Sequence, residues 1–456
     1  MVGKRVEAVV VTNKIIDMNI NRQIISVLFL IVSMLGFSQE KEKSTYKKRV
    51  LETIEVDLLS SFYLQDGDNA AVTGGIGTEE MTDITGTMIV SIPLNDDDVL
   101  TIDAGISAYT SASSSNIDPF DGDQLASPFV ASSGASQKDV WFNFTGIYTH
   151  SSDDRNKVWS AKFSVSSEYD YFSLGAGASY TKLFNEKNTE VSVNGSVYMD
   201  TWSDYYPKEL RAFSPEGKGL DAGLFFYNTI TGNENYNPLY QQFDGLGRNS
   251  YAMGLNLSQI LTKNMQGSLA IDVIQQKGLL STPFQRVYFS DVAASFIENF
   301  HLADSNEKLP NTRIKIALGG RLNYYINEFL VLRTFYRYYT DDWGIKSHTA
   351  SVELPIKITT KFTLYPSYRF YKQTGATYFA PYNTHLSSQE FYTSDYDLAG
   401  YTANQYGFGI RYTDIFTKTH LWKFGLKSID LKFNQYDRST GLTSSIVSGG
   451  MKFVMD

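Results

Sequence analysis

From about residue 52 onward the chain repeats one unit, a run of roughly 10–14 residues with alternating apolar and polar side chains, followed by a break. Between positions 190 and 197, Val and Gly at odd positions alternate with Glu, Ser and Asn at even ones, and segments 100–107 and 313–323 show the same period. A period of two places each set on one face of a strand. Strands of soluble sandwiches average only about five or six residues, whereas tilted strands of this length match the height of a bilayer.

The breaks between these runs alternate in length. Short breaks fall near residues 95–98, 150–157, 183–188, 262–265, 327–328, 359–361 and 417–420. The breaks at the opposite ends of the strands are of two kinds. Long breaks fall near residues 65–80, 112–138, 203–247, 278–311 and 373–398, and tight ones fall near 167–170, 341–344 and 437–441. This layout predicts an all-β fold, a transmembrane up-and-down antiparallel barrel of about 16 strands (14–18), with short periplasmic turns and long outer loops. The strands run from 52–65 to 442–455.

The N-terminal region carries an apolar run, Ile24 to Phe37, that follows Arg22 and ends in the small residues Gly36 and Ser38. The run has about 14 residues, whereas a membrane span needs about 20, so a cleaved signal peptide is favoured over an anchor helix. We expect cleavage after Ser38 and a true start at Met18, with residues 1–17 an over-extended start. Residues 39–50 then form a periplasmic tail too short for a plug domain, and 51–456 form one barrel.

Composition narrows the function classes. The chain has no Cys, which excludes disulfides, thiol catalysis and iron–sulfur centres, and its net charge of −9 argues against a nucleic-acid partner. No two of its five histidines have the spacing of metal ligands, so we predict that the protein is not an enzyme. The aromatic fraction of 14%, mostly Tyr and Phe, suits strands in contact with outer-membrane lipid.

Alternation also assigns charged strand residues to the lumen. We predict an acidic lumen wall formed by Glu55, Asp57, Asp103, Glu190, Asp200 and Asp272. The predicted basic lumen wall consists of Arg321, Arg333, Arg337, Arg369 and Arg411. Two interpretations stay open: opposed walls that orient and filter polar solutes, or charges that pair with one another and close the barrel.

Two outer loops contain unusual segments. Asp66, Asp68 and Asn69 are candidate calcium ligands, to which acidic residues of loop 112–138 would add, although the spacing is not that of an EF-hand. An ordinary glycine-rich loop without metal is the alternative, and no other cofactor is expected. Residues 293–299 have helical spacing, which suits a loop that folds inward as a constriction or outward as a lid, but an ordinary capped loop is favoured.

Segment 66–80, Asp-Gly-Asp-Asn-Ala-Ala-Val-Thr-Gly-Gly-Ile-Gly-Thr-Glu-Glu, is distinctive, as are segments 97–105 and 109–114. With them, the whole mature chain resembles a family of bacterial outer-membrane proteins known as domain of unknown function 3570. The resemblance implies a barrel without established catalytic residues. It also implies a link to extracytoplasmic redox systems, because genes of this family lie beside a gene for a periplasmic flavin-attaching enzyme. The chain itself has neither a Cys-x-x-Cys-His haem motif nor a dinucleotide fingerprint.

We therefore expect an outer-membrane protein of a Gram-negative bacterium that forms a passive, porin-like channel for small polar or anionic solutes. The alternative is a closed scaffold barrel that recruits a protein partner through its outer loops. The aromatic residues of loop 203–247 favour that alternative, since they suit docking, but they serve equally to cover the barrel mouth. They are Phe213, Leu224, Phe225, Phe226, Tyr227, Tyr236 and Tyr240.

Overall fold

The computed structural model describes residues 49–110, 139–203, 206–243 and 245–455. Sixteen long antiparallel strands form one sheet. They are β1 Glu55–Asp66, β2 Met81–Pro93, β3 Asp98–Tyr109, β4 Asp139–Ser151, β5 Lys157–Ser167, β6 Tyr171–Phe184, β7 Thr189–Trp202, β8 Gly247–Thr262, β9 Met265–Gly278, β10 Thr312–Asn327, β11 Leu330–Asp341, β12 Lys346–Glu353, β13 Phe362–Gln373, β14 Tyr401–Thr413, β15 Phe424–Arg438 and β16 Thr443–Met455.

The sheet closes on itself because β1 pairs with both β2 and β16. Every strand therefore has two hydrogen-bonded neighbours, which leaves no open edge. β12 is the one strand with an interruption, at Leu354 and Pro355, before Ile356–Lys357 continues the pairing. Proline has no backbone N–H to donate to the ladder. The predicted barrel and its strand number are confirmed.

The register divides the side chains into two faces. Large apolar residues on the outer face are exposed around the whole barrel, among them Ile84, Phe163, Met253 and Leu269. Such a continuous apolar surface is what a lipid bilayer covers. The inner face is made mainly of small and polar residues, such as the cross-strand pair Ser160 and Ser179.

The two ends of the barrel differ. Turns of a few residues follow the even-numbered strands, the longest of them spanning 414–423, so we call this the turn end. Long loops follow β1, β7, β9 and β13 at the opposite loop end, whereas those after β5, β11 and β15 are tight. Most predicted break positions are confirmed within a few residues. The proposed signal peptide, the periplasmic tail and loop 112–138 lie wholly or almost wholly outside the described residues.

Four loops fold together at the loop end into one packed body, residues 67–80, 206–243, 279–311 and 374–400, which we call the loop cap. Its core contains the fully buried Leu210, Leu302 and Val287. The helical spacing of residues 293–299 does not produce a helix. Ser295–Ile297 is instead a short strand that pairs with Ile230–Gly232 of another loop, a contact that local spacing does not reveal.

Within the described part of the chain, no helix is long and apolar enough to cross a membrane.

Candidate functional site

The lumen face brings the predicted charged residues together on one surface. The strand register places all eleven of them on the same side of the sheet, opposite the exposed apolar face. Arg337, for example, pairs with Thr349, which in turn pairs with Tyr371, and Arg369 faces Gln405 in the next pair of strands. Sequence parity finds this face because the register shifts lie near the strand ends, away from these residues.

Several of these charges are paired with a residue directly opposite on the neighbouring strand. Arg333 contacts Glu353 at 2.9 Å, and Asp200 contacts Arg248 at 2.8 Å. Arg411 forms the same kind of pair with Asp430. Direct cross-strand pairs of opposite charge stabilise a sheet, so these residues contribute to barrel structure as well as to the lumen.

The predicted acidic wall is partly neutralised at the turn end. Glu55 contacts Lys452 at 2.6 Å and Lys427 at 3.3 Å, and Asp57 contacts Lys452 at 3.4 Å. Lys432 similarly reaches Glu353 at 3.7 Å. These lysines are not among the lumen residues predicted from the sequence, although their parity within β15 and β16 marks most of them as lumen residues.

The remaining charges of the predicted walls have fewer partners. Arg337 and Arg369 form neither an ion pair nor a hydrogen bond with any described residue, and Arg321 lies over the ring of Phe335 at 5.4 Å. All five predicted arginines are solvent-exposed inside the barrel. Among the described residues, no ion pair involves Asp103, Glu190 or Asp272. The exposed arginines therefore lie on β10 to β14, and the acids without an ion pair lie on β3, β7 and β9.

The strands across the barrel present a different surface. On β5 to β8 the lumen positions are occupied mainly by serine, glycine, alanine and asparagine. Gly175 and Gly254 are so closely surrounded that an added Cβ would lie within 2.3–2.8 Å of neighbouring side chains. Small residues leave room in the lumen opposite the arginines.

A buried ion pair joins the loops of the cap. Arg286 and Glu209 are in contact at 2.6 Å, and both side chains are almost completely inaccessible to water. Arg286 also donates to the carbonyl oxygen of Val72 at 3.3 Å. One guanidinium thus links three loops that lie far apart in the sequence.

The distinctive segment 66–80 packs against this ion pair. Gly74 has a φ of +81°, and a Cβ there would lie 2.7 Å from the ring of Tyr288. Gly75 has a φ of +90°, and its Cβ would lie 2.7 Å from the carbonyl oxygen of Ser394. Only glycine adopts this backbone at such close approach. The segment is therefore a packing element of the cap.

The cap also contacts the lumen face of the barrel. The carboxamide of Gln373 donates to the backbone oxygens of Ala399 at 2.6 Å and Asp397 at 3.0 Å. Arg438 pairs with Asp397 at 2.8 Å. The cap is thereby held at the barrel mouth.

One of the three candidate calcium ligands, Asn69, has other contacts in this structure. The Asn69 amide group donates to the Thr440 oxygen at 2.8 Å, and its backbone N–H donates to Glu79 at 3.0 Å. No group of three or more histidine or acidic side chains in the described part of the chain is placed to hold a metal ion. The acidic residues of loop 112–138 lie outside that part, so the calcium site stays a prediction.

The aromatic residues of loop 203–247 are mostly internal. Phe213, Leu224, Phe225 and Tyr236 pack in one core cluster of the cap, and Tyr240 packs in a second. Phe226 and Tyr227 alone remain strongly exposed, at 77% and 83%. Most of these aromatic residues therefore form the packed interior of the cap rather than an exposed docking surface.

The two cap histidines lack the partners of a catalytic base. His301 Nδ1 lies 2.6 Å from the Tyr382 hydroxyl, and the ring of His385 contacts Gln389 and the Thr393 carbonyl oxygen at 2.9 Å. Neither ring, among the described residues, hydrogen-bonds to a serine hydroxyl or a carboxylate, which a hydrolytic site requires.

The chain is similar to several solved structures and to one protein family. The chain is similar to a bacterial polysaccharide outer membrane secretin, at 11% identity over 89% of this chain and 100% of that one, with a TM-score of 0.42. It is also similar to a TodX monoaromatic hydrocarbon channel mutant, at 10% identity over 89% of this chain and 91% of that one, with a TM-score of 0.38. The same identity and coverages hold for a FadL homologue from Pseudomonas aeruginosa, with a TM-score of 0.37. No curated protein matches. A family model described as "Protein of unknown function (DUF3570)" matches residues 32–455. The chain therefore belongs to the DUF3570 family.

Proposed function

We propose that this protein is a passive outer-membrane channel for small polar solutes, with a preference for anions. The exposed apolar outer face supports insertion in a bilayer, and the loop cap covers the mouth that faces away from the cell. We do not expect the protein to be an enzyme.

The observation that carries the proposal is the set of five solvent-exposed arginines on the lumen face of β10 to β14. All five side chains are solvent-accessible on the lumen face, so a solute that enters the barrel meets them. Arg337 and Arg369 are free to meet a passing anion, because no described residue pairs with them. Basic residues that line a pore lower the electrostatic barrier for anions and raise it for cations.

The proposal is tested with proteoliposomes that swell in isosmotic solutions of solutes of similar size. We expect swelling in gluconate to be faster than in arabinose, and in arabinose faster than in glucosamine, without any energy source. Equal rates for the anionic and cationic solutes would remove the anion preference. Absence of swelling by a folded, inserted protein would remove the channel.

A closed scaffold barrel is the second candidate, including one that serves an extracytoplasmic redox system. The exposed Phe226 and Tyr227 at the tip of the cap favour it, because adjacent exposed aromatics are typical of protein contacts. Cross-linking in intact cells followed by affinity purification distinguishes the two. A stoichiometric partner that is lost in the Phe226→Ser/Tyr227→Ser variant, together with absent swelling, would establish the scaffold.

A further inference from the structure

A cavity of about 170 Å³ lies in the lumen wall where β13, β14 and β15 meet the loop cap. Its lining includes Arg369 and Tyr371 of β13, Tyr401 and Gln405 of β14, and Tyr436 of β15. Arg369 lies opposite Gln405 in the register, and Gln405 lies opposite Tyr436. Three polar side chains of adjacent strands therefore form one row across the cavity.

The polar groups of this row have no partners within the described part of the protein. Arg369 forms no ion pair there, and the side chains of Gln405 and Tyr436 form no hydrogen bonds. The lining contains one cation and no carboxylate. A guanidinium, a carboxamide and a phenol hydroxyl together donate hydrogen bonds to a carboxylate, for which a guanidinium is the matching cation.

The aromatic walls of the cavity are fixed by the cap. The rings of Tyr371 and Tyr401 lie 5.5 Å apart. Tyr371 donates to Gln373 at 2.6 Å, and Gln373 is bound to the cap backbone. The guanidinium of Arg438 lies 3.8 Å from the centre of the Tyr401 ring. Rings held in this way form a preorganised surface for a flat ligand.

We propose that this cavity is a binding site for a small organic carboxylate that carries a planar ring, with the carboxylate on Arg369 and the ring against Tyr371 and Tyr401. The cavity holds a molecule of the size of benzoate. The inference rests on the proposed channel, since a ligand reaches the site through the lumen. It gives the channel a substrate class, because a site beneath the cap concentrates such anions at the mouth.

The test is titration calorimetry of the full chain, refolded in detergent micelles, with benzoate as the probe and benzamide as its uncharged analogue. We expect saturable 1:1 binding of benzoate. Benzamide lacks the charge that a guanidinium binds, so we expect it to bind at least about tenfold more weakly than benzoate. Arg369→Gln should lower the affinity for benzoate by about tenfold or more.

The matched control is Arg337→Gln, which removes another exposed lumen arginine without an ion pair, outside the cavity. It should change the affinity by less than about twofold. Equal losses in the two variants would mean that benzoate responds only to the general field of the lumen and would overturn the site. Absence of saturable binding to the folded wild type would overturn it as well.

Swelling of proteoliposomes made from the same preparation separates this inference from the proposed function. Swelling without benzoate binding overturns the site and leaves the channel. Benzoate binding that Arg369→Gln abolishes, without swelling, overturns the channel and supports a ligand site in a closed barrel. Heat-dependent migration in gels shows beforehand that each variant is folded.

Discussion

The carboxyl group of Glu307 lies inside the loop cap, away from water. The backbone N–H of Thr282 donates to it at 2.6 Å, and the Thr393 hydroxyl donates to its other oxygen. Burial, reinforced by the nearby Asp395, raises the pKa of Glu307 from 4.5 to about 8. An acid with a higher pKa in the folded state favours folding while it is protonated. Its contribution is therefore present below pH 4.5 and is lost as the pH rises through about 8.

Two other cap residues, Asp304 and His301, limit the pH range in which Glu307 alone changes the stability of the cap. Burial raises the pKa of Asp304 to about 6, so its contribution has the same sign and is lost by about pH 6. Burial lowers the pKa of His301 from 6.5 to about 4, so the cap loses stability through this residue as the pH falls below 6.5. Of Glu307, Asp304 and His301, only Glu307 titrates between about pH 6.5 and 8.

We predict that the stability of the cap falls from pH 6.5 to pH 8 and that Glu307→Gln removes the fall. The measurement is hydrogen exchange of residues 279–311, corrected for the intrinsic exchange rate at each pH. Asp304→Asn is the control, because it should change the profile only below about pH 6. A slope above pH 6.5 that persists in Glu307→Gln would contradict the assignment.

The buried ion pair of Arg286 and Glu209 holds loops of the cap together. Removing one partner of a buried pair leaves an uncompensated charge and costs about 3–5 kcal/mol. Arg286→Met should therefore open the cap, which limited proteolysis of its loops measures. Arg333→Met, which breaks the exposed pair with Glu353, should cost only about 0–1 kcal/mol. Equal protease sensitivity of these two variants would contradict the role of Arg286 as the link between loops.

The loop between β1 and β2 packs closely against two other loops of the cap. We predict that Gly74→Ala loosens the cap, because the residue has a φ of +81° and its Cβ would crowd Tyr288. Gly441 has a φ of +97° but open space around it, so Gly441→Ala reports the backbone strain alone. The difference in protease sensitivity between the two variants measures the crowding. If they behave alike, the packing of Gly74 against Tyr288 contributes nothing.

The strands were predictable because each is a long period-two pattern whose two faces meet different surroundings, lipid and lumen. The first strand was expected at 52–65 and lies at Glu55–Asp66, and the last was expected at 442–455 and lies at Thr443–Met455. The lumen position of Arg369 follows from the same parity. Local pattern is sufficient here because neighbouring strands pair in sequence order.

The cap was not predictable in the same way. Its contacts join residues far apart in the sequence, such as Val72, Glu209 and Arg286, and no periodicity records them. Residues 295–297 have helical spacing but pair with Ile230–Gly232, because tertiary contacts override weak local preference. The ion pairs of Lys452 and Lys432 were likewise missed, since pairing depends on register between strands.

The molecule as a whole is a closed barrel that carries exposed arginines on its lumen face and a packed cap at one end. The cap contacts the lumen face through Gln373 and Arg438, whose side chains bind the same segment, residues 396–399. Loss of cap packing therefore frees the mouth without breaking the strand ladder. We expect variants that loosen the cap, such as Arg286→Met, to conduct more current while the barrel stays folded.

We have proposed that exposed lumen arginines make this barrel an anion-preferring channel, and the reversal potential of the protein in a planar bilayer under a KCl gradient measures that preference. We predict a reversal potential of the sign that marks chloride preference and a shift toward potassium in the variant Arg321→Gln/Arg337→Gln/Arg369→Gln. Lys372→Gln, on the opposite face of the strand that carries Arg369, should leave it unchanged. Potassium preference in the wild type, or no shift in the triple variant, would contradict the account.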